Sequence, residues 1–550
     1  MEEESNSSDE EFDSSVEDTE ESDSWVDNTE EESDSSDDDP ELQEKQDRIS
    51  ALPDLLIHHI LSLLPSTKQA IQTGILSKRW RNQWARVPVL IFECQEYHDE
   101  YFERFIDNSL LLYDCSKIKK FHIACRFQGA TNFTSKILFA TRRNVEELIL
   151  DFYNSGDPKD AYMLPKFIFD NSSLVELQVL SCEFQVSSMV NWPSLKALTI
   201  DCYCLKDAGS IENILSGSPS LESLEIIYLF SVNPIIVASK SLKILIFADI
   251  KITHDLEISC PNLEKLSVKL DKMTENIPSL PDKTIVNVLS GSPLLHSLEL
   301  MGCEFKQLVI ASESLKKLVL DRISEYCEIE ISCPNLEELN WCGSDIEKCK
   351  LMNLPCLCCA TLDFEIPREG CDKTMARKIL MEIQHFKELK VRNSFVKIAS
   401  ALHTERLSYP LLHVKCLTLD CPYFEHTLGI VNVLRCSPEL ERLVIKLDVN
   451  QFPKTADLDL KFYEESYWMS NGIVFTCLMT HLKTVKIIGL SKKDGNREVL
   501  SFVEFLLKNS RVLEKMVLKL GDGGTDFLVE VSQKLLSIPR CSQHAIIELL

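Results

Sequence analysis

Residues 295–300 read LHSLEL, residues 315–320 read LKKLVL and residues 336–341 read LEELNW. Each stretch has apolar residues at its first, fourth and sixth positions, so the last two point to the same side of an extended strand. A strand this short cannot bury its apolar side alone and needs similar neighbours. The three stretches start 20 and 21 residues apart, which predicts that they stack as successive repeats.

The same pattern recurs along most of the chain. Its first, fourth and sixth residues are Val145/Leu148/Leu150, Leu174/Leu177/Val179, Leu195/Leu198/Ile200, Leu221/Leu224/Ile226, Leu242/Leu245/Phe247, Leu263/Leu266/Val268, Leu295/Leu298/Leu300, Leu315/Leu318/Leu320, Leu336/Leu339/Trp341, Val414/Leu417/Leu419 and Leu440/Leu443/Ile445. Up to Leu336, successive units start 20 to 32 residues apart, and most of these spacings fit the period of leucine-rich repeats. Between Trp341 and Val414 the repeat register stays open.

The pattern predicts an α/β fold in which leucine-rich repeats occupy residues 110–455. Their strands would stack in parallel into a solenoid with one continuous core. Helical segments that end in Ser-Pro at residues 218–219, 292–293 and 437–438 would cover the outer face.

Residues 47–92 predict a small helical module ahead of the repeats. A first helix would begin beside Pro53, whose fixed φ suits a first helical turn, and would stop at Pro65. Apolar residues three and four positions apart would form one face of this helix: Leu52, Leu55, Leu56, Ile60, Leu63 and Leu64. So small a module needs a partner to cover its remaining apolar surface.

Two further helices are predicted in this module. Ser66 would cap the second helix, with Gln69 completing a capping box. A third helix would follow Gly74 and place Trp80 and Trp84 on one face, since they are four residues apart.

Several residues of the module resemble the F-box of plant F-box proteins. The match consists of Leu52-Pro53, Ile60, Leu64-Pro65, residues 76–80 and Trp84. The resemblance implies docking on the Skp-type adaptor of a cullin-based ubiquitin ligase. It assigns adaptor binding to Leu52, Pro53, Leu55, Leu56, Ile60, Leu64 and Pro65, with Trp80 and Trp84 as the F-box core. The alternative is a three-helix cap on a larger domain, with the same tryptophans in its core.

The C-terminal part, residues 476–550, departs from the repeat pattern. It predicts a strand over residues 481–487, a helix from Asn496, a second strand over residues 513–520 and a helix over residues 525–536. The end of a solenoid needs such a covering α/β cap. The segment resembles the FBD domain of plant F-box/LRR proteins, chiefly over residues 482–520.

The charge distribution limits the possible partners. The net charge is −28, and residues 1–40 contribute 20 acidic and no basic side chains. We expect residues 1–46 to be a disordered acidic tail, because they offer almost nothing to bury. The remaining chain is also acidic, which argues against nucleic acid as the main partner. No apolar run is long enough to span a membrane, so an intracellular, soluble protein is expected, nuclear or cytoplasmic.

The cysteine pattern leaves two interpretations. Cys356 and Cys359 have a Cys-x-x-Cys spacing with Cys342, Cys349 and Cys371 nearby, which is compatible with zinc. Cysteines also recur at equivalent repeat positions, where small reduced thiols pack the turns. The second interpretation is favoured, so no metal and no cofactor is expected. Motifs of nucleophilic or metal-dependent hydrolases are missing from the sequence, which favours a non-enzymatic protein.

The strand face of the solenoid is the expected binding surface. Side chains beside the middle apolar residue of each unit would point there, and the candidate substrate-binding residues are Glu176, Gln178, Glu225, Lys265, Glu299, Lys317 and Glu338. They mix both signs of charge, so the sequence does not identify a ligand.

Taken with the resemblance, these features predict a substrate-recruiting adaptor subunit of an SCF-type (Skp–cullin–F-box) ubiquitin ligase. The F-box would bind the Skp-type adaptor and, through it, a cullin, while the repeats would bind an unknown protein substrate. Two alternatives stay open: an F-box receptor gated by a small molecule, and a scaffold that binds the adaptor without a role in ubiquitination.

Overall fold

A computed structural model of the chain describes residues 49–94, 100–126, 133–153, 162–183, 190–201, 209–231, 234–252, 256–270, 280–324, 327–343, 349–363, 386–401, 411–421, 427–447, 475–490, 496–521 and 525–550. The expected acidic tail lies outside these residues. The chain divides after Leu52 into two units. Of the first, the described residues 49–52 form a turn in which the Leu52 N–H donates to the Ile49 carbonyl at 3.4 Å. All elements below belong to the second unit.

One parallel sheet dominates the second unit, and we call it the repeat sheet. In the described ranges its strands are Val89–Glu93, Lys120–Ala124, Glu147–Asp151, Glu176–Leu180, Ala197–Asp201, Ser223–Ile227, Ile244–Ile252, Lys265–Leu270, Ser297–Met301, Lys317–Asp321, Glu338–Cys342, Cys359–Asp363, Glu388–Arg392, Cys416–Asp420, Arg442–Lys446, Thr484–Leu490, Lys515–Leu520 and Ile546–Leu549. Each pairs in parallel with the next along the chain. The predicted solenoid of parallel repeats is confirmed.

The strand register aligns the leucines of successive repeats in rows. Leu298 is paired with Leu318, and Leu318 with Leu339. All three side chains are completely buried. Because each leucine packs against the aligned leucines of the strands on both sides, the apolar side of the sheet forms one continuous core, as the repeat period predicted.

Shorter parallel strands follow some of the repeat strands. They form the pairs Tyr162–Met163 with Cys182–Glu183 and Ile235–Ala238 with Leu256–Ser259, and the three-stranded sheet of Gln307–Ala311, Glu328–Ser332 and Cys349–Met352. Phe230–Ser231 pairs with the end of the long strand Ile244–Ile252. These strands alternate buried and outward-facing residues, so they close the apolar interior between the repeat strands and the outer segments.

Helices lie in several of the other connections that the structure describes. The α-helices after the first strand are Glu100–Leu112, Thr134–Thr141, Gly209–Gly217, Lys283–Gly291, Asn393–Ala401, Thr427–Cys436, Thr476–Thr480, Asn496–Asn509 and Thr525–Ser537, and Lys166–Phe169 is a 3-10 helix. The three helices predicted before Ser-Pro are confirmed at Gly209–Gly217, Lys283–Gly291 and Thr427–Cys436. A Cβ atom on Gly429 would overlap the carbonyl oxygen of Val396, so only glycine allows this close approach of two helices.

The structure fills the gap in the repeat pattern between Trp341 and Val414. Strands Cys359–Asp363 and Glu388–Arg392 continue the register there. In the first of these Ala360 replaces the usual leucine, which weakens the apolar signal. The sheet also starts before the first recognised motif, at Val89–Glu93.

The C-terminal elements agree with the predicted order of strand, helix, strand and helix. They are Thr484–Leu490, Asn496–Asn509, Lys515–Leu520 and Thr525–Ser537. Both strands extend the repeat sheet, and Ile546–Leu549 adds one more. The cap is therefore continuous with the solenoid. The predicted domain limits at residues 46, 92, 455 and 476 stay predictions.

Candidate functional site

The first candidate surface lies on the N-terminal module. Its first helix, α1, is Asp54–Ser62, and its second, α2, is Thr67–Gln72. Ile57 and Leu61 of α1 are buried, with 0% and 2% of their surface exposed. The other apolar residues of α1 and of the turns around it point outward. We call them the module surface: Leu55, Leu56, Ile60, Leu63, Ile75 and Leu76.

Exposure of the module surface is far above that of the repeat core. Leu55 is 82% exposed, Leu63 70% and Ile75 89%. Among the other residues that the resemblance assigns to adaptor binding, Pro53 and Pro65 are exposed and Leu52 and Leu64 are half-buried. Several large apolar side chains exposed on one small module are typical of a protein interface.

The segment after α2 differs from the sequence prediction. Ser66 caps α2 as predicted, accepting a hydrogen bond from the Gln69 N–H at 3.3 Å. The predicted third helix after Gly74 is wrong: the segment contains 3-10 helices at Thr73–Ile75 and Gln83–Arg86, with turns between them. Hydrogen bonds three residues apart replace helical ones, as from the Trp80 N–H to the Ser77 carbonyl at 3.1 Å.

This tighter winding still buries both tryptophans. Trp80 is 3% exposed and Trp84 6%. The Ser77 hydroxyl also accepts from the Trp80 N–H at 3.4 Å, a local bond that competes with a regular helix. The tryptophans lie in the core of the module, while Ile75 and Leu76 at the first 3-10 turn extend its outward surface.

A polar cluster joins the start of α1 to the segment near the tryptophans. Arg79 donates to Asp54 at 2.6 Å, His58 shares a hydrogen bond with Gln83 at 2.7 Å, and Gln83 donates to Asp54 at 3.4 Å. The hydrogen bond from Arg79 lowers the pKa of the Asp54 carboxyl from its usual value. The cluster holds α1 at a fixed orientation on the module, which determines which leucines face solvent.

Hydrogen bonds also fix the module to the start of the repeat sheet. The buried Thr67 hydroxyl of α2 accepts from the Ile91 N–H of the first strand at 2.8 Å. The Tyr113 hydroxyl donates to the Val87 carbonyl at 2.9 Å. The Asp114 N–H donates to the Ala85 carbonyl at 2.9 Å. The sheet therefore begins directly where the module ends.

The second candidate surface is the strand face of the repeat sheet. It is formed by the first, third and fifth residues of each strand, which alternate with buried ones. Four of the seven sequence-predicted residues pair with each other there: Lys265 with Glu299 at 3.3 Å and Lys317 with Glu338 at 3.2 Å.

The other three predicted residues lie in the earlier strands, apart from those pairs. Glu176 is exposed and Gln178 is half-buried on one strand, and Glu225 accepts a hydrogen bond from the Thr199 hydroxyl at 3.4 Å. The structure brings the seven residues onto one face without joining them into one site.

Further charge pairs extend across the middle strands. Arg392 lies 2.8 Å from Asp363, and Lys269 lies 2.9 Å from Asp249. Cys342 donates to Asp363 at 3.2 Å, and burial together with this carboxylate raises the pKa of the thiol to about 12. Because cations and carboxylates alternate, the middle of the face neutralises itself.

Both ends of the strand face lack this balance. On the strands before Ile244, the face positions hold the acidic residues Glu93, Glu147, Asp151, Glu176, Asp201 and Glu225, against one described lysine, Lys120. On the last described strands they hold Arg442, Lys446, Lys486, Lys515 and Lys519, against Glu548. Sequence reasoning missed this polarity, although Arg442 and Lys446 directly flank the recognised Leu443 and Ile445.

The cysteines form no metal centre in the part of the chain that the structure describes. No group of three or more His, Cys, Asp or Glu side chains there could hold a metal ion. Cys356 is exposed, whereas Cys260 and Cys333 are buried and donate to the carbonyls of Val237 and Ile310 at 3.6 Å. Those two confirm the interpretation of small thiols packed in the repeats. Cys371 lies outside the described residues.

Two family models match parts of this chain. The model described as FBD-associated F-box protein At5g56370, LRR repeats, matches residues 137–278, and the FBD model matches residues 471–518. F-box/LRR-repeat protein 25 of Arabidopsis thaliana is 37% identical over 190 residues, which cover 34% of this chain and 70% of that protein. The chain belongs to the F-box/LRR-repeat family.

Longer relatives support this F-box/LRR-repeat assignment. F-box/LRR-repeat protein At5g02910 of Arabidopsis thaliana is 27% identical, over 86% of this chain and 89% of its own. F-box/FBD/LRR-repeat protein At5g53840 of the same plant is 25% identical, over 90% and 94%. The predicted resemblance to plant F-box/LRR proteins with a C-terminal FBD is therefore confirmed. No helix in the described ranges is long and apolar enough to cross a membrane.

Proposed function

We propose that this F-box/LRR-repeat protein is the substrate-recruiting subunit of an SCF-type ubiquitin ligase. Its module surface binds a Skp-type adaptor and, through it, a cullin, while the repeat sheet binds a protein substrate. The observation that supports this most is the exposure of Leu55, Leu63 and Ile75 on a module whose core is otherwise closed. The family supports the same assignment.

Burial of the module surface would provide the main driving force for adaptor binding. Fully burying one leucine side chain contributes about 1.5–3 kcal/mol. Several leucines and isoleucines on α1 and the first 3-10 turn would act together, as the central apolar residues of protein interfaces do. Leu52, Pro53, Leu64 and Pro65 belong to the proposed adaptor contact through the F-box resemblance.

The proposed mechanism is proximity. A substrate held on the repeat sheet would stay near the catalytic part of the ligase, which raises the effective concentration of its lysines. The hydrogen bond between Thr67 of α2 and Ile91 of the first strand supports this proposal, because it limits motion between the adaptor-binding module and the sheet. The chain itself would contribute binding and no chemistry.

The test is co-purification of the full chain with a Skp-type adaptor. Replacement of both Leu55 and Leu63 by Ala should reduce the amount of bound adaptor at least about tenfold, because two of the most exposed leucines leave the interface. The matched control replaces Leu111 and Leu112 by Ala as well. These leucines are 82% and 67% exposed and lie on a different helix. The control should bind the adaptor like the unchanged chain.

Equal adaptor binding by the Leu55/Leu63 variant and the control would contradict the assignment of the interface. Measuring substrate ubiquitination with the same two variants separates a ligase subunit from a scaffold. If the chain is only a scaffold, the Leu55/Leu63 variant and the control should give the same rate of substrate ubiquitination. A receptor gated by a small molecule would instead require the ligand for substrate binding.

A further inference from the structure

The last strands of the repeat sheet carry a cluster of cations on the strand face. Arg442, Lys486 and Lys519 are exposed and Lys446 is half-buried. None of the four forms an ion pair within the described ranges, and we call them the basic face. Nearby Lys515 is different, because Glu548 lies 2.7 Å from its ammonium group.

The strand register gathers the four side chains in a small area. Strand Arg442–Lys446 pairs with Thr484–Leu490, which pairs with Lys515–Leu520. Lys446 is aligned with Ile488, and Ile488 with Lys519. Since neighbouring strands lie about 4.8 Å apart, Lys446 and Lys519 are only two strand spacings from each other.

Such a cluster is unfavourable for the folded chain alone. Like charges on neighbouring strands repel each other, whereas opposite charges stabilise a sheet. In the middle of the same face the chain places a carboxylate beside each of Lys265, Lys317 and Arg392. The basic face departs from this local rule except at Lys446, which is aligned with Asp420 of the preceding strand. A ligand that supplies carboxylates would restore the balance.

We propose that the basic face binds an acidic segment of a protein ligand, in which Asp or Glu residues alternate with small apolar ones. The half-buried face positions between the cations are Val444, Thr484 and Ile488, which suit apolar or small side chains of the ligand. The acidic strands before Ile244 repel the same segment. The charge difference along the sheet therefore fixes where the segment binds.

A nucleic acid fits this surface less well than an acidic protein segment. Proteins that bind single strands combine a basic groove with aromatic side chains on which bases stack. The face positions of these three strands contain no aromatic residue. Elsewhere on the sheet the excess of carboxylates would repel a long polyphosphate backbone.

The inference rests on the proposed function in one respect: if the chain is a ligase subunit, the protein that carries the acidic segment is its substrate. The test therefore uses the full chain and a fluorescein-labelled peptide in which Glu alternates with Val and Ser. Binding is measured by fluorescence anisotropy at several salt concentrations. Joint replacement of Lys446, Lys486 and Lys519 by Gln should weaken binding about tenfold, since three charge contacts are lost. Added salt should weaken binding to the unchanged chain.

Two controls keep the result specific. A chain with Gln at Lys196, Lys240 and Lys306, three exposed lysines outside the strands, should bind the peptide within about twofold of the unchanged chain. A peptide with Gln in place of each Glu should not bind. The Lys446/Lys486/Lys519 variant should still co-purify with the Skp-type adaptor, because the basic face is not part of the module surface. If the unchanged chain binds the Glu peptide but not the adaptor, the proposed ligase role is contradicted and the basic face is not.

Three outcomes would overturn the proposal. One is equal affinity of the Lys446/Lys486/Lys519 variant and the unchanged chain for the Glu peptide. Another is equal binding of the Gln peptide. The third is tighter binding of a single-stranded oligonucleotide than of the Glu peptide, which would assign the basic face to nucleic acid.

Discussion

The module and the repeat sheet use leucine in opposite ways. Leu298, Leu318 and Leu339 of the sheet have no exposed surface, whereas Leu55 and Leu63 of the module are among the most exposed apolar residues described. Both sets follow regular apolar patterns in the sequence. The difference arises because the strands of these three leucines each have a paired strand on both sides, while α1 has neighbours on one side alone. An apolar period predicts burial, but the burying surface can belong to another protein.

The largest expected effect breaks the repeat core. Leu318→Ala should reduce the free energy of unfolding by about 3 kcal/mol, since it removes buried apolar side-chain atoms and leaves a cavity that the neighbouring leucines of the row cannot fill. Leu63→Ala, at 70% exposure, should change it by no more than about 0.5 kcal/mol. Urea unfolding of the two variants measures both values. Equal losses would mean that the module surface supports the fold.

A smaller effect is expected at the junction of the two regions. Thr67→Val keeps the shape of the buried side chain but leaves the Ile91 N–H without its acceptor, which should cost about 1–2 kcal/mol. Hydrogen exchange should accelerate at the Ile91 amide in particular. Thr418→Val, on the half-buried face of the sheet, is the control. Unchanged exchange at Ile91 would show that the threonine hydroxyl does not hold the first strand.

The smallest expected effect depends on pH and concerns the acidic end of the strand face. Burial, followed by the Asp201 and Glu93 carboxylates, raises the pKa of Asp151 above its usual value of 3.8. Ionisation of Asp151 therefore destabilises the folded chain. This destabilisation is complete at pH values above the raised pKa of the folded state and absent below the usual pKa of the unfolded state. Asp151→Asn should stabilise the chain at neutral pH.

Denaturant unfolding of the Asp151→Asn variant at neutral and at acidic pH tests this sign. The gain should shrink as the pH falls through the raised pKa towards 3.8. A gain that is equal at both pH values would exclude the carboxylate charge as the cause.

Most of the fold could be predicted because its information is local. An apolar residue at the first, fourth and sixth positions gives each strand its buried side, and the near-constant period gives the stacking. The prediction failed where local patterns weaken, as at Ala360, or where they allow more than one winding, as between Gly74 and Arg86. There the packing of Trp80 and Trp84, and not the helical spacing, determines the backbone.

The surfaces were less predictable than the core. Leu55 and Leu63 were found through their helical spacing, but Ile75 has no periodic partner and its exposure depends on the 3-10 turn. The charge pairs were missed because they join residues of different repeats, and their pairing requires the strand register. Once the register is known, Lys265 and Glu299 are found to pair with each other, while Arg442 and Lys486 form no ion pair with any residue that the structure describes.

The parallel register of the repeat sheet gives the chain an additive geometry. Each strand lies one spacing of about 4.8 Å beyond the previous one, so the path from the first strand to any point of the face is a sum of equal steps. Removing one whole repeat would bring every later strand one step nearer to the module without altering the rest of the face. Repeat number would then set the distance between the module and a protein bound further along the strand face, so that gain or loss of a single repeat alone would change that distance.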